Sequence, residues 1–84
     1  MTYTVLILRG AQKELAQLST ESYCRVRDAI RELAINARPS GCLKLTGRGG
    51  WRIRVGDFRV VYEIDDTGRT VTVLHVGHRR DVYR

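Results

Sequence analysis

The chain has 84 residues, 43% of them hydrophobic, which is enough for one small domain and excludes a disordered protein. Its 15 Lys and Arg residues outnumber 9 Asp and Glu residues, and the net charge of +6 favours a negatively charged partner, either nucleic acid or an acidic protein. No signal-peptide pattern or membrane-length apolar run is recognisable, so we predict a single cytoplasmic domain over residues 1–84 with no membrane contact.

The first half of the chain predicts one strand followed by two helices. Residues 3–8 (YTVLIL) are nearly continuously apolar, as in a strand covered on much of both faces, and Gly10 is expected to end it. Residues 11–18 predict a short helix, and Ser19 suits the N-cap of a longer helix over residues 20–37. One apolar stripe along this helix is predicted to face the core: Tyr23, Val26, Ile30, Leu33, Ala34 and Ala37.

Residues 39–50 (PSGCLKLTGRGG) are the least regular stretch, with a short strand predicted at Leu43–Thr46. The GRGG run resembles a fragment of a phosphate-binding loop. It lacks the Gly-Lys-Ser/Thr ending and the strand–loop–helix setting that a nucleotide site requires. We therefore reject nucleotide binding and expect a loop that carries Arg48 near the active face.

Residues 51–62 (WRIRVGDFRVVY) are the most informative stretch, because they predict two strands joined by a tight turn at Gly56-Asp57. Apolar residues alternate with other residues on both sides of the turn, which is typical of half-buried strands. A two-residue loop fixes the hairpin register. The apolar pairs on the predicted core face are Trp51 with Tyr62, Ile53 with Val60, and Val55 with Phe58.

The same register predicts a group of arginines on the other face of the hairpin. Arg54 lies directly opposite Arg59, and Arg52 lies one step along the same face. Like charges in this position are unfavourable, so the arrangement favours a polyanion site. The alternative is a solvated strand face in an arginine-rich chain, partly neutralised by Glu63 or Asp65. Thirteen of the fifteen basic residues are arginines, whose planar donors suit phosphate.

A turn at residues 65–68 and a further strand over residues 69–76 complete the predicted fold. A three-residue loop would place Arg59 opposite His75, whereas a four-residue loop would exchange the faces, and the sequence leaves both open. The order β-α-α-β-β-β-β predicts an α+β fold, in which a small antiparallel sheet meander carries two N-terminal helices packed on one face. Cys24 and Cys42 have no Cys or His partner at metal-ligand spacing, so no metal site is predicted and their role stays open.

The segments WRIRVGDFRVVYEID and VLHVGHRRDVYR resemble the RelE family of bacterial and archaeal toxins, within the RelE/ParE superfamily, and the resemblance covers essentially the whole chain. It implies the toxin of a type II toxin–antitoxin pair, an endoribonuclease that cuts mRNA in the ribosomal A site. Such enzymes use no metal or cofactor. They activate the ribose 2′-hydroxyl to attack the adjacent phosphate.

By motif, the family's catalytic positions fall on five residues: Arg52, Arg54, Arg59, Arg79 and Tyr83. Three further basic residues are predicted to bind nucleic acid: Lys44, Arg48 and Arg80. The best-known member has lysines at the positions of Arg52 and Arg54, and an arginine stays protonated, so the general base is in question. His75 and His78 are therefore candidates for proton transfer.

The resemblance also implies partners: an acidic RelB-like antitoxin that neutralises the basic face, mRNA on the ribosome, and operator DNA bound only through the toxin–antitoxin complex. Two other functions are kept open. One is a ParE-like toxin that inhibits DNA gyrase without cutting nucleic acid. The other is an inactive domain that binds RNA or an antitoxin.

Overall fold

The computed structural model describes residues 2–47 and 49–78. Their elements confirm the predicted α+β class and the order β-α-α-β-β-β-β. In chain order they are β1 (Thr4–Ile7), α1 (Arg9–Ala16), α2 (Thr20–Glu32), β2 (Leu43–Lys44), β3 (Trp51–Val55), β4 (Phe58–Asp65) and β5 (Thr70–His78). Among these helices, none is both long and apolar enough to cross a membrane.

The five strands form one sheet in the order β1-β5-β4-β3-β2. The predicted antiparallel meander is confirmed for β2 to β5, whereas β1 pairs with β5 in parallel, with Thr4 beside Thr70. The expectation that β1 is covered on both faces is wrong, because β1 is an edge strand and the helices pack on one face only. Val5 and Ile7 pack against the core, while Leu6 is 52% exposed.

Both helices differ from their predicted bounds. The first begins at Arg9, so Gly10 lies inside it instead of ending the strand. The second begins at the predicted N-cap, where the Ser19 hydroxyl accepts a hydrogen bond from the Ser22 N–H at 3.2 Å. It ends at Glu32 because the following N–H groups, such as that of Leu33, bond to carbonyls three residues back, which tightens the chain into a turn.

The hydrophobic core lies between the two helices and the inner face of the sheet. The predicted apolar face of the hairpin belongs to it, with Val60 and Tyr62 fully buried. Tyr23 does not, since it is 36% exposed, so the core stripe of α2 starts one turn later at Val26. The Tyr62 hydroxyl donates a hydrogen bond to the Ala37 carbonyl at 2.8 Å, and burial raises the pKa of Tyr62 above its ordinary value.

We expect Tyr62→Phe to lower the free energy of unfolding by about 1 kcal/mol, because it leaves the Ala37 carbonyl without its buried donor. Urea denaturation measures this change. The matched control is Tyr23→Phe, which removes the same atom from an exposed side chain and should change the stability far less. Equal effects of the two substitutions would contradict this assignment.

A polar cluster at the surface joins three segments that are distant in the sequence. The Arg38 guanidinium donates two hydrogen bonds to the Asp66 carboxylate, at 2.9 and 3.2 Å, and the Tyr3 hydroxyl donates a third at 2.6 Å. These contacts, that of Arg38 above all, lower the pKa of Asp66 to about 2. The cluster therefore links the start of β1, the segment after α2 and the turn between β4 and β5.

The depressed pKa of Asp66 predicts a pH dependence of stability. A carboxyl group whose pKa is lower in the folded chain than in the unfolded chain stabilises the folded state at pH values above its ordinary pKa of 3.8. This contribution is lost as the pH falls towards 2. Asp66→Asn should therefore destabilise the protein at pH 7, and its difference from the parent should shrink on acidification. Urea denaturation across this pH range tests it. Glu63→Gln, which neutralises another exposed carboxylate, is the control and should have a smaller effect at pH 7.

Candidate nucleic-acid interface

The hairpin formed by β3 and β4 has the register that the sequence predicts. Val55 pairs with Phe58, and Arg54 pairs with Arg59. The inner face of the hairpin packs on the helices, so the three arginines of the outer face point away from the core. We call this group the arginine face: Arg52, Arg54 and Arg59.

The three side chains of the arginine face differ in exposure. Arg54 is exposed, Arg52 is half-buried, and Arg59 is only 7% exposed. Because an arginine stays protonated on burial, Arg59 places a fixed positive charge where water screens it little. The arginine face therefore combines a buried cation, Arg59, with an exposed one, Arg54.

The register between β4 and β5 is that of the predicted four-residue loop from Asp65 to Tyr62 and departs from it beyond a β-bulge. The connecting loop has four residues, 66–69, but a β-bulge between Val61 and Tyr62 shifts the pairing again. His75 consequently lies opposite Val61 on the arginine face, while Arg59 lies opposite Gly77. Since glycine has no side chain, β5 adds no bulk at the position next to Arg59.

The two candidate histidines lie on different faces of the sheet. His75 is on the arginine face, with its side chain 58% exposed and its Nδ1 3.8 Å from the Glu14 carboxylate. His78 pairs with Phe58 on the inner face, and the two rings meet edge to face with centroids 6.1 Å apart. The fold therefore brings His75, and not His78, to the face that carries the arginines.

The remaining predicted site residues do not join the arginine face among the described residues. Lys44 pairs with Trp51, so it belongs to the opposite face, with its Nζ 5.9 Å from the centre of the indole ring. The other four predicted residues lie outside the described ranges: Arg48, Arg79, Arg80 and Tyr83. Their roles stay predictions.

A cleft of about 470 Å³ runs beside the arginine face, between α2 and the edge of β3. It exists because β2 pairs only with Trp51 and Arg52, and no described strand covers the rest of this edge. Sequence periodicity gave no signal for it, since its size depends on how short β2 is. Its walls include Ala29, Glu32, Pro39, Leu43, Arg52 and Arg54.

Comparisons with known proteins show the family to which the chain belongs. A family model described as "ParE toxin of type II toxin-antitoxin system, parDE" matches residues 5–83. Toxin RelG of Mycobacterium tuberculosis is 33% identical over 90 residues, which cover 100% of this chain and 99% of that protein. The chain belongs to the RelE/ParE superfamily of toxins. The chain is therefore the toxin of a type II toxin–antitoxin pair, as the resemblance predicted.

Solved structures of RelE toxins have the same fold. A chain of the archaeal RelE–RelB complex from Pyrococcus horikoshii superposes with a TM-score of 0.84 at 28% identity, covering 98% of this toxin and 100% of that chain. A chain of the RelBE2 complex of M. tuberculosis gives 0.69 at 29% identity, covering 94% and 100%. The isolated Escherichia coli RelE toxin gives 0.79 at 26% identity, covering 96% and 90%.

The opposed arginines of this RelE/ParE toxin should reduce its stability. Arg54→Thr replaces one of two like charges on adjacent strands with a good strand former, so the free energy of unfolding should rise by a few tenths of a kcal/mol. Repeating the urea denaturation in 1 M NaCl isolates the electrostatic part, which salt screens. A gain of the same size at both salt concentrations would contradict the repulsion.

Proposed function

We propose that this toxin is a ribosome-dependent mRNA endoribonuclease. The observation that carries the proposal is the arginine face, where Arg52, Arg54 and Arg59 share one side of a hairpin beside an open cleft. A purely structural sheet gains nothing from opposed guanidinium groups, whereas a phosphodiester under attack is stabilised by cations aimed at its oxygens. Membership of a superfamily that contains RelE toxins supports the same activity.

The reaction is an internal transfer of the phosphoryl group. The 2′-hydroxyl oxygen bonds to the adjacent phosphorus, the bond to the 5′-oxygen breaks, and the products are a 2′,3′-cyclic phosphate and a 5′-hydroxyl. The proton of the 2′-hydroxyl passes to a base, and the departing 5′-oxygen takes up a proton. In this proposal Arg59 and Arg54 stabilise the negative charge on the phosphoryl oxygens.

His75 is the better placed of the two histidines to move a proton, because it shares the arginine face and its Nδ1 lies 3.8 Å from the Glu14 carboxylate. The arginines themselves stay protonated and cannot act as the base. Arg79 is proposed as a further cation. Tyr83 is proposed to stack on a base and hold the RNA splayed for in-line attack.

Primer extension on translated mRNA, after induction of the toxin, tests the proposed nuclease. The parent should give cuts positioned by codon, and Arg54→Ala should reduce cutting about 100-fold, the scale of losing one charge-stabilising donor. Arg31→Ala, which removes an exposed arginine of α2 from outside the arginine face, is the control and should cut normally. Growth arrest that survives both Arg54→Ala and Arg59→Ala would reject the nuclease and favour binding without catalysis.

Inhibition of DNA gyrase is the second candidate function, because the matching family model is described as a ParE toxin. It predicts a DNA damage response without mRNA cuts. Supercoiling by purified gyrase in the presence of the toxin measures it directly. Loss of supercoiling together with intact mRNA would replace the first proposal with this one.

We further propose an acidic RelB-like antitoxin as the protein partner. The P. horikoshii and M. tuberculosis matches are toxin–antitoxin complexes, and the net charge of +6 suits an acidic chain. Carboxylates of the antitoxin would neutralise the arginine face and keep the toxin inert while the antitoxin persists. Operator DNA would be bound only through the complex, and the toxin is proposed to act in the cytoplasm.

A further inference from the structure

A fourth arginine lies at the tip of the hairpin, although it comes from a different element. Arg25 of α2 extends its guanidinium over Gly56, in the turn between β3 and β4. The position that a Cβ would take on Gly56 is 3.5 Å from Nη2 and 3.8 Å from Cζ of Arg25. Gly56 has φ +60°, so the turn requires a residue that adopts positive φ.

The side chain of Arg25 is exposed, and its guanidinium contacts the turn without a carboxylate partner among the described residues. Other arginines are paired, as Arg27 is with Asp28 at 3.0 Å and Arg38 with Asp66 at 2.9 Å. Within residues 2–47 and 49–78, Arg25 has no ion pair and donates no side-chain hydrogen bond. The carboxylate that faces it is that of Asp57, which lines the same 170 Å³ cleft without coming within ion-pairing distance.

Arg25 lies on the helix side of the sheet at the end of the hairpin, in a cleft shared with Val55 and Phe58, and it is separated from the arginine face by the turn. Arg54 stands two residues before Gly56, and a strand advances about 3.3 Å per residue, so the backbone positions are only about 7 Å apart. An RNA strand that crosses the arginine face and passes the turn therefore brings a flanking phosphate to Arg25.

We propose that Arg25 forms a phosphate-binding subsite at the hairpin tip, which holds single-stranded RNA beside the point of cleavage. This inference rests on the proposed function only in taking RNA as the ligand. Arg25 is a binding residue and not a catalytic one, because the scissile group lies on the arginine face. Its planar donors match two phosphate oxygens at once.

Binding of a fluorescein-labelled RNA oligonucleotide, 2′-O-methylated throughout to block cleavage, tests the subsite by fluorescence anisotropy. Arg25→Ala should weaken binding about five- to tenfold, and the slope of log K against log salt should fall by about 0.7, the value of one phosphate contact on a single strand. Arg25→Lys, which keeps the charge, should recover part of the affinity. Arg31→Ala, an equal loss of charge on the same helix away from the turn, should bind like the parent.

Cleavage on ribosomes gives the second readout. In single turnovers at limiting ribosome concentration, Arg25→Ala should cut more slowly than the parent, by the factor of its loss in RNA affinity, whereas Arg31→Ala should cut like the parent. Thermal melting checks that both variants fold. RNA binding by Arg25→Ala equal to that of the parent, or weakened no more than by Arg31→Ala, would overturn the subsite.

The two proposals fail separately. If the parent binds the methylated RNA through Arg25 but cuts no mRNA, the nuclease is wrong and the subsite stands. If the parent cuts normally while Arg25→Ala binds RNA like the parent, the subsite alone is wrong. In a parallel titration, a glutamate-rich peptide replaces the RNA. If Arg25→Ala weakens binding of the peptide but not of the RNA, this surface is assigned to an acidic protein partner instead.

Discussion

The opposed pair of Arg54 and Arg59 exists because the other face of the same hairpin is buried. On that face Ile53 packs beside Val60 within the core. A shift of one residue in register would carry the arginines into the core and the apolar residues into water, so hydrophobic burial holds the like charges together. The charge density of the arginine face therefore depends on the packing of the core. A substitution in the core would alter it even with all three arginines unchanged.

The helices pack on one face of the sheet, and this one-sided packing leaves the other face available to a ligand. The burial of each arginine then determines how freely its side chain can move. Arg59 is nearly buried and presents a charge that does not need to reorganise, whereas Arg54 can follow a ligand. A preorganised cation beside an adaptable one suits a substrate whose charge spreads during reaction.

Much of the fold could be predicted from the sequence, because the strongest signals were local. The two-residue turn at Gly56 fixed the register of the arginine face, and alternation assigned its buried side. The rest depends on contacts between distant segments. The bulge that brings His75 to the arginine face, the early end of α2 and the packing of Arg25 on the turn each reflect how the sheet meets the helices. Periodicity within one segment carries no information about these contacts.

The parallel pairing of β1 with β5 has a consequence for the order of folding. The first strand of the chain finds its neighbour in the sheet only in the last described strand, from Thr70 onwards. During synthesis β1 therefore stays without this neighbour until β5 has been made, and closing so long a loop is slow. A nascent chain of this toxin thus cannot complete its sheet before β5 has been made.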